Sequence, residues 1–243
     1  MGHHHIAIVT GAGKRLGQQI AIELGRNGYT VVVNYNTSKT GAQKTIDIIR
    51  KSGSQAISIQ ADVSKRVEVK KMINKILSAY GRIDLLVNNA SVFIDGMYNQ
   101  ITERSWEQTI GVNLTGTFLC SQMVAPVMLE QKKGNIINIA SLGGIQSWSK
   151  HIPYSVSKAG VIMLTKCMAK ALAPYVCVNA IAPGTVLMQG GRKESISQLN
   201  RSKIPLRRFA VSNDINEVVL FLANNSKYIT GQVISVDGGV SIP

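Results

Sequence analysis

The feature that most limits what this chain can fold into is an alternation. Seven short, β-branched, nearly all-apolar runs recur along it: Ile6–Val9, Thr30–Asn34, Ala56–Gln60, Ile83–Asn88, Asn135–Ala140, Val176–Ala180 and Gln232–Val236. A strand with one wet face alternates polar and apolar residues. The run Ile83-Asp84-Leu85-Leu86-Val87 does not, so both of its faces should be covered, as in a parallel sheet. Between the runs lie helix-length stretches with apolar residues at helical spacing, such as Val67, Met72, Ile73, Ile76 and Leu77. Strands alternating with helices predict one α/β domain with a doubly wound sheet. A chain of 243 residues fits a single domain, and no repeat or linker divides it. Thr185–Val211 lacks any period and holds Gly190-Gly191 and many charges, so residues 185–211 read as a substrate loop. The start Met1-Gly2-His3-His4-His5 is tag-like, stands outside the fold and has no carboxylate or cysteine near it to build a metal site.

Several function classes fall away. No apolar run reaches the ~18 residues of a membrane span, which argues against a membrane partner. Cys120, Cys167 and Cys177 are scattered and odd in number, which suits buried thiols in a reducing cytoplasm. Lys and Arg total 27 against 13 acids, a net charge of +14. Such a surface invites an anionic partner, but no binding motif or aromatic-interleaved basic stripe points to nucleic acid.

The first strand runs into Thr10-Gly11-Ala12-Gly13-Lys14-Arg15-Leu16-Gly17, with a helix starting near Arg15. Glycines there let the backbone approach a pyrophosphate at the positive end of the helix. NAD sites of this type carry an acid at the end of the second strand for the ribose 2′-hydroxyl. Here the segment is Asn34-Tyr35-Asn36-Thr37-Ser38-Lys39, with no acid. Lys14, Arg15 and Lys39 can instead neutralise a 2′-phosphate, which predicts NADP(H).

Tyr154 and Lys158 stand four apart, on one face of a helix beginning near Pro153 and running Tyr154–Leu172. A lone Tyr-x-x-x-Lys carries little weight, but this one has company. Ser141 ends the fifth strand thirteen residues before Tyr154, Asn88-Asn89-Ala90 closes the fourth, and Asn113 lies on an earlier helix. Ends of parallel strands are where open α/β sheets bind ligands, so these residues should converge.

This ordered set, with Asp62 and Pro183-Gly184, resembles the short-chain dehydrogenase/reductase family over residues 6 to 240. The resemblance implies a single Rossmann-type domain over 6–243, a seven-stranded parallel sheet and a homotetramer. It makes Tyr154 the general acid, Lys158 the cation that lowers the phenol's pKa and holds the ribose, Ser141 the group orienting the substrate oxygen, and Asn113 the holder of a relay water. Gly11, Lys14, Arg15, Leu16, Gly17, Asn34, Thr37, Ser38, Asp62, Val63, Asn89, Ala90, Tyr154, Lys158, Pro183, Gly184 and Val186 become the cofactor contacts, with no metal. A second, small-and-apolar stripe at Ala159, Met163 and Cys167, away from Tyr154 and Lys158, becomes a subunit interface.

Within the family, Ile204-Pro205-Leu206-Arg207-Arg208-Phe209, Asp214-Ile215, Tyr228-Ile229-Thr230-Gly231-Gln232 and Val236-Asp237-Gly238-Gly239 resemble 3-oxoacyl-(acyl carrier protein) reductases. That implies a cytoplasmic NADPH-dependent carbonyl reductase of fatty acid synthesis, acting on a small or carrier-bound ketone, with an acidic acyl carrier protein as partner. Arg15 and Ser91 replace glycines and resemble pteridine reductases, while Ser141 stands where those carry Asp. Met188 stands where carrier-protein reductases have Thr. A sugar or alcohol dehydrogenase, and more remotely a cofactor-sensing binding protein, remain as alternatives. The loops Ser91–Asn99, Leu142–Pro153 and Thr185–Arg208 should line an apolar pocket through Val92, Phe93, Ile94, Met97, Trp148, Leu187 and Met188, with His151 as a polar edge. Six basic residues in 192–208 face Glu194 alone, and Lys132 and Lys133 precede the fifth strand, a rim suited to an acidic carrier.

Overall fold

A computed structural model describes residues 5–188, 201–224 and 227–242 of the chain. Seven parallel strands form one sheet in the order β3-β2-β1-β4-β5-β6-β7. They are β1 Ile6–Val9, β2 Thr30–Tyr35, β3 Ala56–Gln60, β4 Leu85–Asn88, β5 Gly134–Ile139, β6 Val176–Pro183 and β7 Val233–Val236. The helices between them are α1 Arg15–Arg26, α2 Lys39–Lys51, α3 Arg66–Tyr80, α4 Glu103–Ile110, α5 Gly116–Glu130, α6 Ile152–Leu172 and α7 Ser212–Asn224.

The all-apolar strands are buried on both faces, as their sequences require: β1, β2 and β4 have no exposed residue. One layer packs α1, α2 and α7 against the sheet through Ile20, Leu24, Ile49 and Val219; the other packs α3, α5 and α6 through Met72, Ile76, Met128 and Val178. Strand order reverses between β1 and β4, which opens a crevice at the carboxyl ends of those strands.

The strand ends depart from the sequence expectation. β4 spans Leu85–Asn88, but the backbone before it is already joined to its neighbours: Asp84 N–H donates to the Ile6 carbonyl at 2.9 Å, and the Asp84 carbonyl accepts from Asn135 N–H at 3.0 Å. β6 runs on to Pro183 because Ala182 and Pro183 pair with Ser235 and Val236 of β7. In α3, Met72, Ile73 and Ile76 are buried as expected, but Val67, in the first turn, is 65% exposed. The segment Glu103–Glu130 is one helical run, and by length and composition alone it could cross a bilayer; half of its apolar stretch is buried. α5 packs on α3, α6, β4 and β5, the behaviour of a core helix. Within that run, Gly111–Thr115 widens to a π-helical turn carrying Asn113. α6 starts two residues before Tyr154, with Pro153 in its first turn, and Ala159, Met163 and Cys167 are exposed along it. In the expected substrate loop, Val186 bridges Ala210, and Arg201–Lys203 form a short 3-10 turn; residues 189–200 lie outside the described residues.

Candidate active site

The crevice over the switch point is a cleft of about 1370 Å³. At one end it is lined by Gly11, Lys14, Arg15, Leu16, Gly17, Asn34, Thr37 and Ser38, and along its length by Asp62, Val63, Asn89 and Ala90. At the other end stand Ser141, Tyr154, Gly184 and Val186, with an adjoining recess of about 210 Å³ that adds Lys158 and Pro183. Every residue expected to touch the cofactor therefore lines either the cleft or the recess beside it. Asn113 does not: it is fully buried behind the wall.

The glycine turn is built by close approach of backbone to backbone. Gly11 adopts a left-handed φ of 64°, and a Cβ there would sit 2.9 Å from the Ala90 Cα. A Cβ on Gly17 would strike the Asn89 amide and lie 2.6 Å from the Gly11 carbonyl. These glycines thus admit β4 and its Asn89 as well as leaving room for a ligand. Thr10 Oγ1 accepts from the N–H groups of Asn89 (2.9 Å) and Ala90 (3.0 Å), and Asn89 Nδ2 donates to the Thr10 carbonyl at 2.9 Å. Asn34 is likewise a brace. It is buried, accepts from Gly11 N–H at 3.2 Å and donates to the Ala61 carbonyl at 3.0 Å, tying the turn to β3. Arg15, where a glycine is usual, holds a left-handed φ of 53°.

A nicotinamide dinucleotide fits this cleft on the protein's own evidence. The first turn of α1 faces it, no carboxylate ends β2, and Lys14 and Arg15 line its far end. Lys39, expected to help there, opens α2 on an exposed position and does not line the cleft. Asn36, Ser64 and Lys65 line that end instead, and α4 adds Arg104, Glu107 and Gln108. Asn36 adjoins residues the motif marks, but α4 reaches the cleft only through the fold and leaves no sequence signal. The Asp62 carboxylate accepts from the Ser64 N–H (2.9 Å) and hydroxyl (2.7 Å).

At the reactive end, Lys158 is buried and its Nζ donates to the Ile139 carbonyl at 2.7 Å, 5.7 Å from the centre of the Tyr154 ring. Burial brings the Lys158 ammonium down to about 8. Burial pushes the Tyr154 phenol above its ordinary range, and a hydrogen bond with Ser141 pulls the other way. A buried phenol that keeps its proton, beside a hydroxyl and a cation, can give that proton to an oxygen held at Ser141. Asn113 acts on this group at one remove. Its Oδ1 accepts from Val92 N–H (2.8 Å) and Ser91 Oγ (3.1 Å), and its Nδ2 donates to the Val92 carbonyl and to Ser157 Oγ, both at 3.0 Å. Ser157 Oγ in turn donates to the Tyr154 carbonyl at 2.7 Å. The Asn113 side chain thus clamps the start of the Ser91–Met97 loop to α6. Of the expected substrate-pocket residues, Val92, Phe93, Ile94, Trp148 and Met188 line the cleft; Met97, Leu187 and His151 do not.

Comparison with known proteins agrees with this geometry. The family described as short chain dehydrogenase matches residues 5–198. The 3-oxoacyl-(acyl-carrier-protein) reductase of Staphylococcus epidermidis is 42% identical over 238 residues, covering 96% of this chain and 98% of that one. The enzyme of the same description from Synechocystis is 41% identical over 241 residues, covering 97% and 96%. The crystal structure of acetoin dehydrogenase from Salmonella typhimurium superposes with a TM-score of 0.87 at 30% identity, covering 98% and 96%.

Proposed function

The chain belongs to the short-chain dehydrogenase family, and from that premise we propose that this oxidoreductase is an NADPH-dependent carbonyl reductase acting on a 3-oxoacyl thioester carried by an acyl carrier protein. The observation that carries the reaction is the partly buried Tyr154 phenol, with Ser141 and Lys158 beside it, where the cleft meets its adjoining recess. The bound dinucleotide supplies hydride to the carbonyl carbon. Ser141 holds the carbonyl oxygen, Tyr154 protonates it as negative charge develops, and Lys158 stabilises the phenolate left behind. A raised phenol pKa keeps Tyr154 in the protonated state that reduction needs.

The preference for NADPH rests on Lys14 and Arg15 and on the missing acid at the end of β2. The substrate class is supported by the two relatives at 41–42% identity and by the apolar wall of Val92, Phe93, Ile94 and Met188. Among the described basic residues of the rim, Arg208 is paired with Asp214 at 2.7 Å. Attraction of an acidic carrier then rests on Arg201, Lys203, Arg207, Lys132 and Lys133. The departures that resemble pteridine reductases find other uses: Ser91 serves Asn113, and Arg15 lines the phosphate end. A cytoplasmic homotetramer belongs to the same reading.

An NADPH-oxidation screen over acetoacetyl-carrier protein, a dihydropterin, keto sugars and small diketones tests it. The carrier-bound ketone is expected to give the highest kcat/KM. A higher value for the dihydropterin or a sugar would displace the substrate assignment, and equal use of NADH would displace the cofactor.

A further inference from the structure

Between β4 and α4 the chain has no regular structure from Ser91 to Met97, yet this loop is fastened at both ends. At its start, Asn113 grips the Val92 peptide from both sides. At its far end, Gly96 N–H donates to the Lys150 carbonyl at 3.0 Å, and Asp95 Oδ1 lies 3.0 Å from His151 Nδ1. His151 is the residue that caps α6, three before Tyr154. Phe93 stands between the two fastenings. Its ring meets the Tyr154 ring edge-on at 4.7 Å and packs on the His151 ring at 4.4 Å, although the residue is 52% exposed. From the other loop, Trp148 lies nearly parallel to the Tyr154 ring at 6.2 Å and 6.0 Å from His151. The phenol is therefore flanked by two aromatic walls, one from each loop.

A half-exposed phenylalanine on an irregular loop is not held in one orientation by burial. Asp95, with a side chain 76% exposed, contributes little to stability through an ion pair in water. Its position explains it better: it stands two residues from Phe93, and its carboxylate lies 3.0 Å from Nδ1 of His151, the N-cap residue of the helix that carries Tyr154 and Lys158, a buried nitrogen with no other polar partner among the described residues. We propose that the Asp95–His151 pair is a clasp that holds Phe93 against Tyr154 and so fixes the width of the substrate slot, selecting ketones that are unbranched beside the carbonyl. Asp95 and His151 are positioning residues in this account, and Phe93 is the wall they set. The inference rests on the carbonyl-reductase reading above.

The test compares kcat/KM for a linear 3-oxohexanoyl thioester and its 4-methyl-branched analogue in the wild type, Asp95→Asn, Asp95→Glu and Phe93→Ala. The wild type should favour the linear substrate by about 10-fold or more, the scale on which a pocket rejects a methyl group. Asp95→Asn should shrink that preference about 5-fold, mainly through KM, while turnover of 2,3-butanedione stays within about 2-fold. Asp95→Glu should recover part of the preference, and Phe93→Ala should abolish it. An unchanged preference in Asp95→Asn overturns the clasp, even where Phe93→Ala alters selectivity. If the wild type reduces no ketone, the functional reading fails, and fluorescence decides the clasp. The chain has two tryptophans, so a Trp106→Phe background isolates Trp148. Asp95→Asn should then raise its quenching by acrylamide, and unaltered quenching overturns the clasp on its own.

Discussion

Arg15 joins two demands that pull in opposite directions, and separating them is the sharpest test of the cofactor reading. Its φ of 53° lies in the left-handed region, where an L side chain costs about 1–2 kcal/mol. Arg15→Gly removes that strain but loosens the unfolded chain, which costs about 0.4–1 kcal/mol. The glycine variant should therefore be neutral to about 1.6 kcal/mol more stable than the wild type. Arg15→Ala keeps the strain, so it should fall about 1 kcal/mol below the glycine variant, or about 2–4 °C in Tm for a chain of this size. Both variants lose the guanidinium. A charge-assisted hydrogen bond to phosphate contributes about 1.5–3 kcal/mol, so NADPH should bind about 10- to 100-fold more weakly to either one. NADH, lacking the 2′-phosphate, should bind about as before. Melting curves of the cofactor-free proteins and fluorescence titrations with both dinucleotides read the two effects separately. A glycine variant that melts below the alanine variant refutes the strain argument. Equal losses for NADPH and NADH refute the phosphate assignment and give Arg15 to the pyrophosphate or the fold.

Tyr154→Phe should leave melting and NADPH binding nearly intact while cutting turnover at least ~100-fold; near-wild-type turnover would end the general-acid role. An ordinary lysine stays charged to about 10.4, but Lys158 loses its proton near 8. The kcat/KM for NADPH should thus be full below about pH 8 and fall with a one-proton slope above it, and a flat profile to pH 10 removes Lys158 from cofactor binding. Exposed Ala159, Met163 and Cys167 on α6 should be covered in a symmetric homotetramer, a state that light scattering reporting a monomer at micromolar concentration excludes. Raising the salt should lower kcat/KM for a carrier-bound substrate and leave a neutral diketone unaffected, because attraction over distance is screened beyond ~8 Å; matching responses mean the basic rim only solvates the surface.

What the sequence makes legible follows from how local each signal is. The strands are legible because burial on both faces leaves its mark on consecutive residues, and Leu85-Leu86-Val87 could hardly be anything else. Their ends are not, since β6 continues through Pro183 only because β7, fifty residues later, lies alongside it. Val67 shows the limit of a loose reading of periodicity: it lies on the opposite side of α3 from Ile76, while the buried face begins in the same turn with Val69. The site residues are legible as a set because strand ends and the turns after them converge on one edge of a parallel sheet. Their individual tasks are less so. Asn34 and Asn89 occupy positions marked for the cofactor, yet their amides brace the glycine turn. Asn113 is marked as catalytic, yet its side chain grips Val92 and Ser157. Each of these bonds joins segments separated by at least one intervening helix, so no short window of sequence contains both partners. Lys39 shows the same limit in reverse. It stands one residue from Ser38, which lines the cleft and whose backbone and side chain a Cβ on Gly13 would strike. Lys39 begins α2 at an exposed position, and its side chain does not line the cleft. A charge near a site in sequence reaches that site only if the element it starts points inward, and that direction is a property of the packed helix.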